Sequence, residues 1–383
     1  MNFYVNYTIV KFVICRYSRF IDVSLEGFCP FVVCNLDVFM KYKIFLVVLY
    51  CWISIHFLHA QTGVFQFLDL PVSSRMAALG AKNVSIADHD INFSLLNPAL
   101  LSEQADNTIG LNMANYLADV QFGSAIYGKS FGKNRFAVGF QFVDYGSFKE
   151  TTEYNEIIGE FTAKDMALSL IYSRQLTDYL TAGVTLKPIY SAYERYISFG
   201  AALDLGVHYQ QPGQLFSAGL VFRNMGSQLK GYYSGSEGQH LEPLPFDIQL
   251  GMTQKLEHAP FRFSVTLHNL HRWELSYIDN ENSTMDYDRM DAIPTIEFLD
   301  MAFRHAVIGV EFLPSKNFYL VASYNHRRHQ ELKMPGFKSM AGFSFGGGIE
   351  ISKFHIGFGT SQFQVGNSAY LFSVSTSLNE FKL

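Results

Sequence analysis

Two histidine pairs are the first residues whose types and spacing suggest chemistry. His326 and His329 flank two arginines, and His268 and His271 begin another polar stretch. Neutral imidazole is a common zinc ligand, but a protein zinc site ordinarily needs at least three protein ligands. Neither pair has an obvious third ligand or a recognisable helical pattern around it. The pattern favours solvated loop residues over a metal site, and the sequence predicts no metal.

Other short motifs are equally incomplete. Asp286, Asp288 and Asp291 lie in a stretch rich in Asp and Asn, where a Ca²⁺ site is an alternative to a solvated loop. The run 346–348 is three glycines, but no Lys-Ser/Thr follows to complete a phosphate-binding loop. A strand kink, or a gap for a neighbouring segment, is the better interpretation. No Gly-x-Ser-x-Gly elbow is present. We therefore expect no catalysis and no cofactor.

Composition directs attention to the elements that would hold such residues. The chain has 383 residues, of which 16% are aromatic and only 16% charged, against roughly 25% charged in soluble domains. The net charge is −5, so there is no basic footprint for nucleic acid. The four cysteines all precede Ala60, which leaves the rest of the chain without a disulfide framework or a catalytic thiol.

The N-terminal region has the pattern of an export signal. A basic stretch at 40–43 precedes an apolar run at 44–57 and a small residue, Ala60. This order predicts a signal peptide over 40–60. Residues 1–39 would then be an extension of the gene model upstream of the true start, with translation beginning at Met40. The alternative is an unusually long leader.

Beyond residue 105 the chain alternates between apolar and polar residues. The stretch Tyr196 to Gln210 places Phe, Leu and Val on one face and Ser, Gly, Asp and His on the other. Side chains alternate across a strand, so such a segment has one apolar and one polar face. About fourteen segments share this pattern: 106–115, 120–130, 134–146, 161–174, 179–191, 197–210, 214–225, 245–257, 260–269, 301–313, 317–326, 338–352, 354–361 and 369–378.

The connections between these segments are also informative. Tight turns follow the even strands, whereas connections after odd strands are often long, at 147–160, 226–244, 270–300 and 327–337. This asymmetry is typical of an outer-membrane barrel, whose apolar face meets lipid. The sequence predicts an all-β fold over 106–383, a 14-stranded antiparallel transmembrane β-barrel. A soluble sandwich is the alternative, but its exterior should carry many more charges.

Residues 61–105 do not alternate. They mix a helical start, short apolar runs and an Asn-Pro-Ala turn. A barrel of this size has a lumen too wide for its own side chains to fill, so we expect this segment to be a hatch or plug. A periplasmic extension outside the barrel is the alternative.

The same segment carries a family resemblance. Pro71 is followed by Arg75-x-Ala-Ala-Leu-Gly80, then Val-Ser-x-Ala-Asp, then Asn97-Pro98-Ala99. This order resembles the N-terminal signature of the PorV/PorQ group of FadL-like outer-membrane proteins. The resemblance implies a fourteen-stranded barrel with an N-terminal hatch, containing Arg75, Gly80, Asn97, Pro98 and Ala99.

Two functions remain open. The resemblance implies a non-enzymatic barrel of the type IX secretion system in the Gram-negative outer membrane. Such a barrel would anchor a PorZ-like surface protein, with PorU and PorV in the same complex, for attachment of cargo to lipopolysaccharide. The alternative is a FadL-like channel for hydrophobic small molecules. Aromatic side chains are favoured anchors at protein interfaces, so the candidate docking residues in the long loops are Tyr232, Tyr233, Trp273, Tyr277 and Tyr287. The alternative is that these aromatic residues belong to a girdle at the membrane interface.

Overall fold

The computed structural model describes residues 63–88, 90–116, 120–235, 238–275, 298–332, 340–364 and 367–381. The predicted signal peptide and upstream extension lie outside the described residues. So do the aspartates at 286, 288 and 291.

Fourteen strands form a closed antiparallel barrel in which the first strand pairs with the last. The prediction of a 14-stranded antiparallel barrel is confirmed. In chain order, β1 to β14 are Thr108–Asn115, Gln121–Phe131, Asn134–Thr151, Ile157–Gln175, Leu180–Tyr193, Tyr196–Gln210, Phe216–Lys230, Asp247–Lys255, Phe261–Leu267, Ala306–Ser315, Phe318–Asn325, Phe343–Ile351, Phe354–Gln364 and Asn367–Ser377.

The alternation in β6 separates two environments. Phe199 and Val207 are exposed on the outside of the barrel, whereas Ser198, Asp204 and His208 are buried on the inside. A closed barrel satisfies its backbone hydrogen bonds internally and leaves no sheet edge, as a lipid-spanning structure requires. The exposed outward residues form an apolar belt around the barrel, including Leu111, Phe136, Val138, Leu170, Leu186, Met252, Phe263, Leu320, Phe345, Phe358 and Phe372.

The two ends of the barrel differ. At one end, which we call the inner end, the strands are joined by tight connections at 132–133, 176–179, 211–215, 256–260, 316–317 and 352–353. We call the opposite end the outer end. At the outer end the connections run over 116–120, 152–156, 194–195, 231–246, 268–305, 326–342 and 365–366. Three of the four predicted long connections are long, at 231–246, 268–305 and 326–342.

The prediction of a long loop at 147–160 was wrong. Both flanking strands continue, leaving only 152–156 between them. The alternation disappears there because the hairpin extends past its neighbours, where polar side chains can occupy either face.

Helices correct two further predictions. The strand predicted from 301 begins at Ala306, because Phe298–Arg304 is a helix. The predicted loop at 327–337 contains the helix His326–Leu332. With Ser74–Ala78, these are the α-helices of the described residues, named α1 to α3 in chain order. None of the helices in the described part of the chain is long and apolar enough to cross a membrane.

Candidate functional site: the lumen and its outer mouth

The N-terminal segment, residues 63–105, lies inside the barrel. Its short helix and 3-10 turns contact the buried face of strands around the ring. Most of its side chains are buried, including Met76, Leu79, Val84 and Phe93. They form the centre of an apolar cluster completed by inward-facing wall residues such as Ile126 and Val321.

Local capping explains why this segment forms short turns. The hydroxyl of Ser73 accepts a hydrogen bond from the backbone N–H of Met76 at the start of α1, 3.3 Å away. The side chain of Asn97 accepts from the N–H of Ala99 and donates to the carbonyl of Val84, at 3.0 and 2.9 Å. Side-chain oxygens at these positions satisfy backbone donors that a helix end leaves unpaired. Asn97 also links the two halves of the segment.

Glycines in the wall let the segment approach closely. A Cβ on Gly219 would overlap the carbonyl oxygen of Val84, and one on Gly183 would lie 2.5 Å from the carbonyl carbon of Pro98. Gly346, in the glycine run of β12, would place a Cβ 2.6 Å from that of Ala78. These contacts require residues without side chains. Gly346 therefore accommodates the N-terminal segment, whereas a Cβ on Gly347 or Gly348 would meet the adjacent strand β11.

A neutral group of four charges joins the segment to the wall. Arg75 Nη2 lies 2.7 Å from Asp88 Oδ2 and 2.9 Å from Glu311 Oε1. Arg262 contacts Glu311 through Nε and Asp88 through Nη2, the latter at 3.1 Å. The Arg75 guanidinium also lies over the Tyr319 ring, 4.7 Å from its centroid. We call Arg75, Asp88, Arg262 and Glu311 the charged cluster.

Electrostatics hold the charged cluster in its ionised form. Burial raises the pKa of Asp88, but Arg75 and Arg262 outweigh it and hold that pKa well below its ordinary value. The side chain of Glu311 is only 1% exposed. A buried carboxylate that remains charged needs paired cations, and the two arginines provide them.

A second set of polar contacts lies farther along the lumen. Lys82 Nζ is 3.2 Å from Asp69 and 3.3 Å from Asp247. Arg223 Nη2 donates to the carbonyl of Leu68 at 3.1 Å. These contacts secure the first part of the N-terminal segment against the strands that begin or end near the outer loops.

The outer mouth is apolar and aromatic. Phe65 and Phe67 of the segment pack with Leu244 in a second buried apolar cluster. We call the partly buried side chains that pack against this cluster the mouth basin: Leu70, Tyr116, Val120, Tyr145 and Tyr232.

A hydroxyl network borders the mouth basin. Tyr145 and Tyr193 each donate to Asp165 Oδ2 at 2.7 Å, and Ser191 contacts Asp165 Oδ1. Tyr232 bonds to the same serine hydroxyl at 2.5 Å. The network fixes the orientation of three aromatic rings and attaches the 231–246 connection to the barrel wall.

The structure places the predicted hatch residues against the lumen wall, but at different parts of the ring. Arg75 belongs to the charged cluster, and Asn97, Pro98 and Ala99 contact β5 and β6 near Gly183 and Gly206. Gly80 has a positive φ of 77°, and a Cβ there would lie 2.6 Å from a Val307 methyl group. A left-handed conformation in a crowded site explains why glycine occupies this position.

The predicted docking residues are divided. Tyr232 lies in the mouth basin, whereas Tyr233 is 65% exposed. Trp273 is half exposed and stacks on Phe298 and His305, at 5.1 and 5.2 Å between ring centroids. Tyr277 and Tyr287 lie outside the described residues. Docking by this set remains a prediction.

The histidines at 326 and 329 have ordinary hydrogen-bond partners. His326 Nε2 lies 2.7 Å from Asp300 Oδ1, and His329 Nδ1 lies 2.8 Å from the Ala341 carbonyl oxygen. His268 and His271 belong to the 268–305 connection. Across the described ranges, no group of three or more His, Cys, Asp or Glu is arranged to hold a metal ion.

Sequence reasoning missed the charged cluster's wall residues and the Asp165 network. Arg262 and Glu311 are direct cross-strand partners, although 49 residues separate them. The sequence did contain a signal for these two wall residues, because each is a charged residue at an inward-facing position of a strand in a chain with few charges. Finding the pair also required the register of β9 against β10, which the misplaced start of the predicted strand obscured.

Comparison with known proteins supports the fold. No protein-family model and no curated protein matches the chain. The solved CymD monoaromatic hydrocarbon channel is similar at 13% identity and a TM-score of 0.50, over 81% of this chain and 98% of that one. The Pseudomonas putida toluene transporter TodX gives 14% identity and a TM-score of 0.47, over 82% and 98%. A Pseudomonas aeruginosa FadL homologue gives 9% and 0.44, over 79% and 97%.

At such identities the likeness to CymD shows the fold alone. The class of protein is therefore a closed fourteen-stranded membrane barrel.

Proposed function

We propose that this protein is a channel of the Gram-negative outer membrane that admits small hydrophobic molecules, with its outer end facing the cell exterior. The mouth basin is the observation that carries the proposal. Its partly buried apolar and aromatic side chains pack against a buried apolar cluster, and small-molecule sites are typically lined by such side chains together with a few polar groups. The Asp165 network supplies that polar border.

The N-terminal segment controls passage in this proposal. It is held by the charged cluster, by Lys82 and by close contacts to wall glycines. A molecule bound in the mouth basin therefore lies above a packed layer, and transport requires the layer to rearrange. The names of CymD and TodX suggest monoaromatic hydrocarbons as the first ligand class to test.

Uptake of radiolabelled toluene by cells with and without the protein tests the proposal. Leu70→Asp with Val120→Asp makes the mouth basin polar and should slow uptake several-fold, because each carboxylate disfavours an apolar ligand. Tyr233→Asp is the control, since this exposed side chain lies outside the basin. Equal uptake by all these proteins and by cells lacking the channel would refute the proposal.

A second candidate function is the anchoring of a surface protein. The resemblance of the N-terminal segment to the PorV/PorQ group supports it, as does the exposure of Tyr233 and Trp273. The proposed partner is a PorZ-like protein, in a complex with PorU and PorV that attaches cargo to lipopolysaccharide. In this alternative the lumen stays closed and no reaction is catalysed.

Affinity purification from solubilised outer membranes separates the two functions. An anchor should recover the surface protein, and shortening both 231–246 and 268–305 should release it while the barrel remains folded. A channel should lose toluene uptake on deletion without loss of surface attachment of secreted proteins. Retention of the partner after both truncations would place docking elsewhere.

A further inference from the structure

Two strands extend beyond the barrel at its outer end. The ladder between β2 and β3 ends at the pair Gln121 and Asp144. The ladder between β4 and β5 ends at Ala163 and Tyr193. Beyond these points β3 and β4 continue to pair with each other, from Ser147–Thr162 to Thr151–Ile157. We call residues 147–162 the projecting ribbon.

The projecting ribbon has free backbone edges within the described part of the chain. No third strand pairs with 147–151 or 157–161 there. At the base of the ribbon the N–H of Glu194 donates to the Thr162 carbonyl. Five residues of paired strand extend roughly 17 Å at about 3.4 Å per residue. Unpaired N–H and C=O groups in a row are a template for another strand.

Of the two free edges, the one at 157–161 is better suited to pair with another strand. The opposite edge adjoins the 116–120 connection, of which 117–119 lie outside the described residues. Along 157–161, Ile157 and Ile158 are each 61% exposed, and Tyr154 at the tip is 86% exposed. Phe148 and Phe161 stack at 5.3 Å between ring centroids.

The lipid belt does not account for these apolar side chains. A charged pair, Lys164 Nζ with Asp144 Oδ2 at 3.4 Å, lies below the ribbon, with both side chains more than 40% exposed. Exposed ion pairs belong in water or the headgroup layer and not in hydrocarbon. The isoleucines beyond that pair therefore lie in a polar layer, where exposed apolar patches often mark interaction sites.

The ribbon also carries an excess of negative charge. Its ionisable residues are one lysine, Lys149, and four glutamates, at 150, 153, 156 and 160, which sum to 1 − 4 = −3. A second copy of the same ribbon would be repelled, because like charges placed across an interface are costly. A basic partner would be attracted.

We propose that the projecting ribbon is a docking site for another protein, which adds an extended segment alternating apolar and basic residues as a third strand along 157–161. Main-chain hydrogen bonds to the free edge would provide affinity, and alternate side chains would provide specificity. The apolar side chains of the partner would cover Ile157 and Phe161. Its basic side chains would face Glu156 and Glu160. This site is separate from the lumen and does not depend on the proposed channel function.

Peptide binding to the full chain in nanodiscs of zwitterionic lipid tests the proposal. The probes are a fluorescent peptide of alternating valine and lysine and a matched peptide of valine and glutamate, with empty nanodiscs as background. The basic peptide should bind, and rising salt should weaken binding. Glu156→Lys should weaken it several-fold. The matched control Glu242→Lys, a partly exposed glutamate in the 231–246 connection, should leave it unchanged.

Hydrogen exchange identifies the mode of binding. The peptide should slow exchange at amides within 157–161 that β3 does not already protect. Equal binding of both peptides, equal binding after removal of 149–158, or no binding at all would overturn the proposal. Full protection of 157–161 without peptide would also overturn it, because another part of this chain would then cover the edge.

Discussion

Removing one charge from the charged cluster should loosen the N-terminal segment. The cluster contains two arginines and two carboxylates, so Glu311→Gln changes its net charge from zero to +1. Glu311 is 1% exposed and accepts hydrogen bonds from both arginines. Breaking a buried pair by removing one partner costs about 3–5 kcal/mol, and we expect a cost in that range.

A double substitution should cost less than the sum of its parts. Arg75→Met alone leaves a net charge of −1, but Arg75→Met with Glu311→Met leaves Asp88 and Arg262 as a neutral pair at 3.1 Å. Residues within one ion-pair network typically show coupling energies of about 0.5–3 kcal/mol. The double variant should therefore be less destabilised than additivity requires.

Native-state hydrogen exchange measures this effect where it occurs. In α1 the backbone N–H of Ala77 bonds to Ser73 O and that of Leu79 to Arg75 O, so these amides report opening of the segment. Lys164→Gln is the control, since its exposed pair with Asp144 should contribute at most about 1 kcal/mol. Equal effects of Glu311→Gln and the control, or strict additivity in the double variant, would refute the electrostatic argument.

Three further predictions follow from wall, belt and loop contacts. Gly219→Ala should displace the N-terminal segment and speed its proteolysis, whereas Gly159→Ala should not, since a Cβ there meets only the flexible Glu150 carboxylate at 3.1 Å. Leu203→Arg, near the middle of β6, should lower the free energy of unfolding by about 2–4 kcal/mol in urea unfolding from lipid vesicles. Tyr209→Arg, near the interface at the inner end, should lower it by only about 0–1 kcal/mol. Equal costs would show that the bilayer is not centred on the middle of β6. Burial raises the pKa of Asp300, but its hydrogen bonds to His326 and Arg304 outweigh this and lower it. The ionised Asp300 side chain therefore contributes its full stabilisation above pH 3.8, its ordinary pKa, and this contribution is lost as the pH falls from there through the lowered pKa. Hydrogen exchange in α2 should speed up over that pH range, and Asp300→Asn should abolish the increase.

The barrel was predictable because its signal is local. Alternation within β6 depends only on lipid outside and polar contacts inside, so each strand carries its own evidence. The same reasoning failed where lipid is absent. Strand β3 continues to pair with β4 after residue 146, although Ser147, Lys149 and Glu150 are all exposed. The sequence therefore predicted a loop where the structure has a hairpin. Met301 and Phe303 alternate like a strand, yet they belong to α2.

The inward contacts were less predictable because they depend on positions far apart in the chain. Asp204 was an ordinary lumen-facing residue by its sequence, but it is fully buried and paired with Lys187 at 2.5 Å. The alternation alone predicted that a polar change on the lumen face, such as Asp204→Asn, would be mild. The buried pair with Lys187 indicates a larger cost. This cost follows from an unpaired buried lysine.

The charged cluster also separates the two proposed functions. If the barrel is a channel, loosening the N-terminal segment lowers the barrier beneath the mouth basin, and Glu311→Gln should raise toluene uptake above that of the unaltered protein. If the barrel is an anchor with a closed lumen, the same substitution should leave uptake at background and partner recovery intact, because the outer loops are unchanged. Loss of partner recovery with uptake at background would contradict both functions as proposed, since it would make the segment itself part of the docking surface.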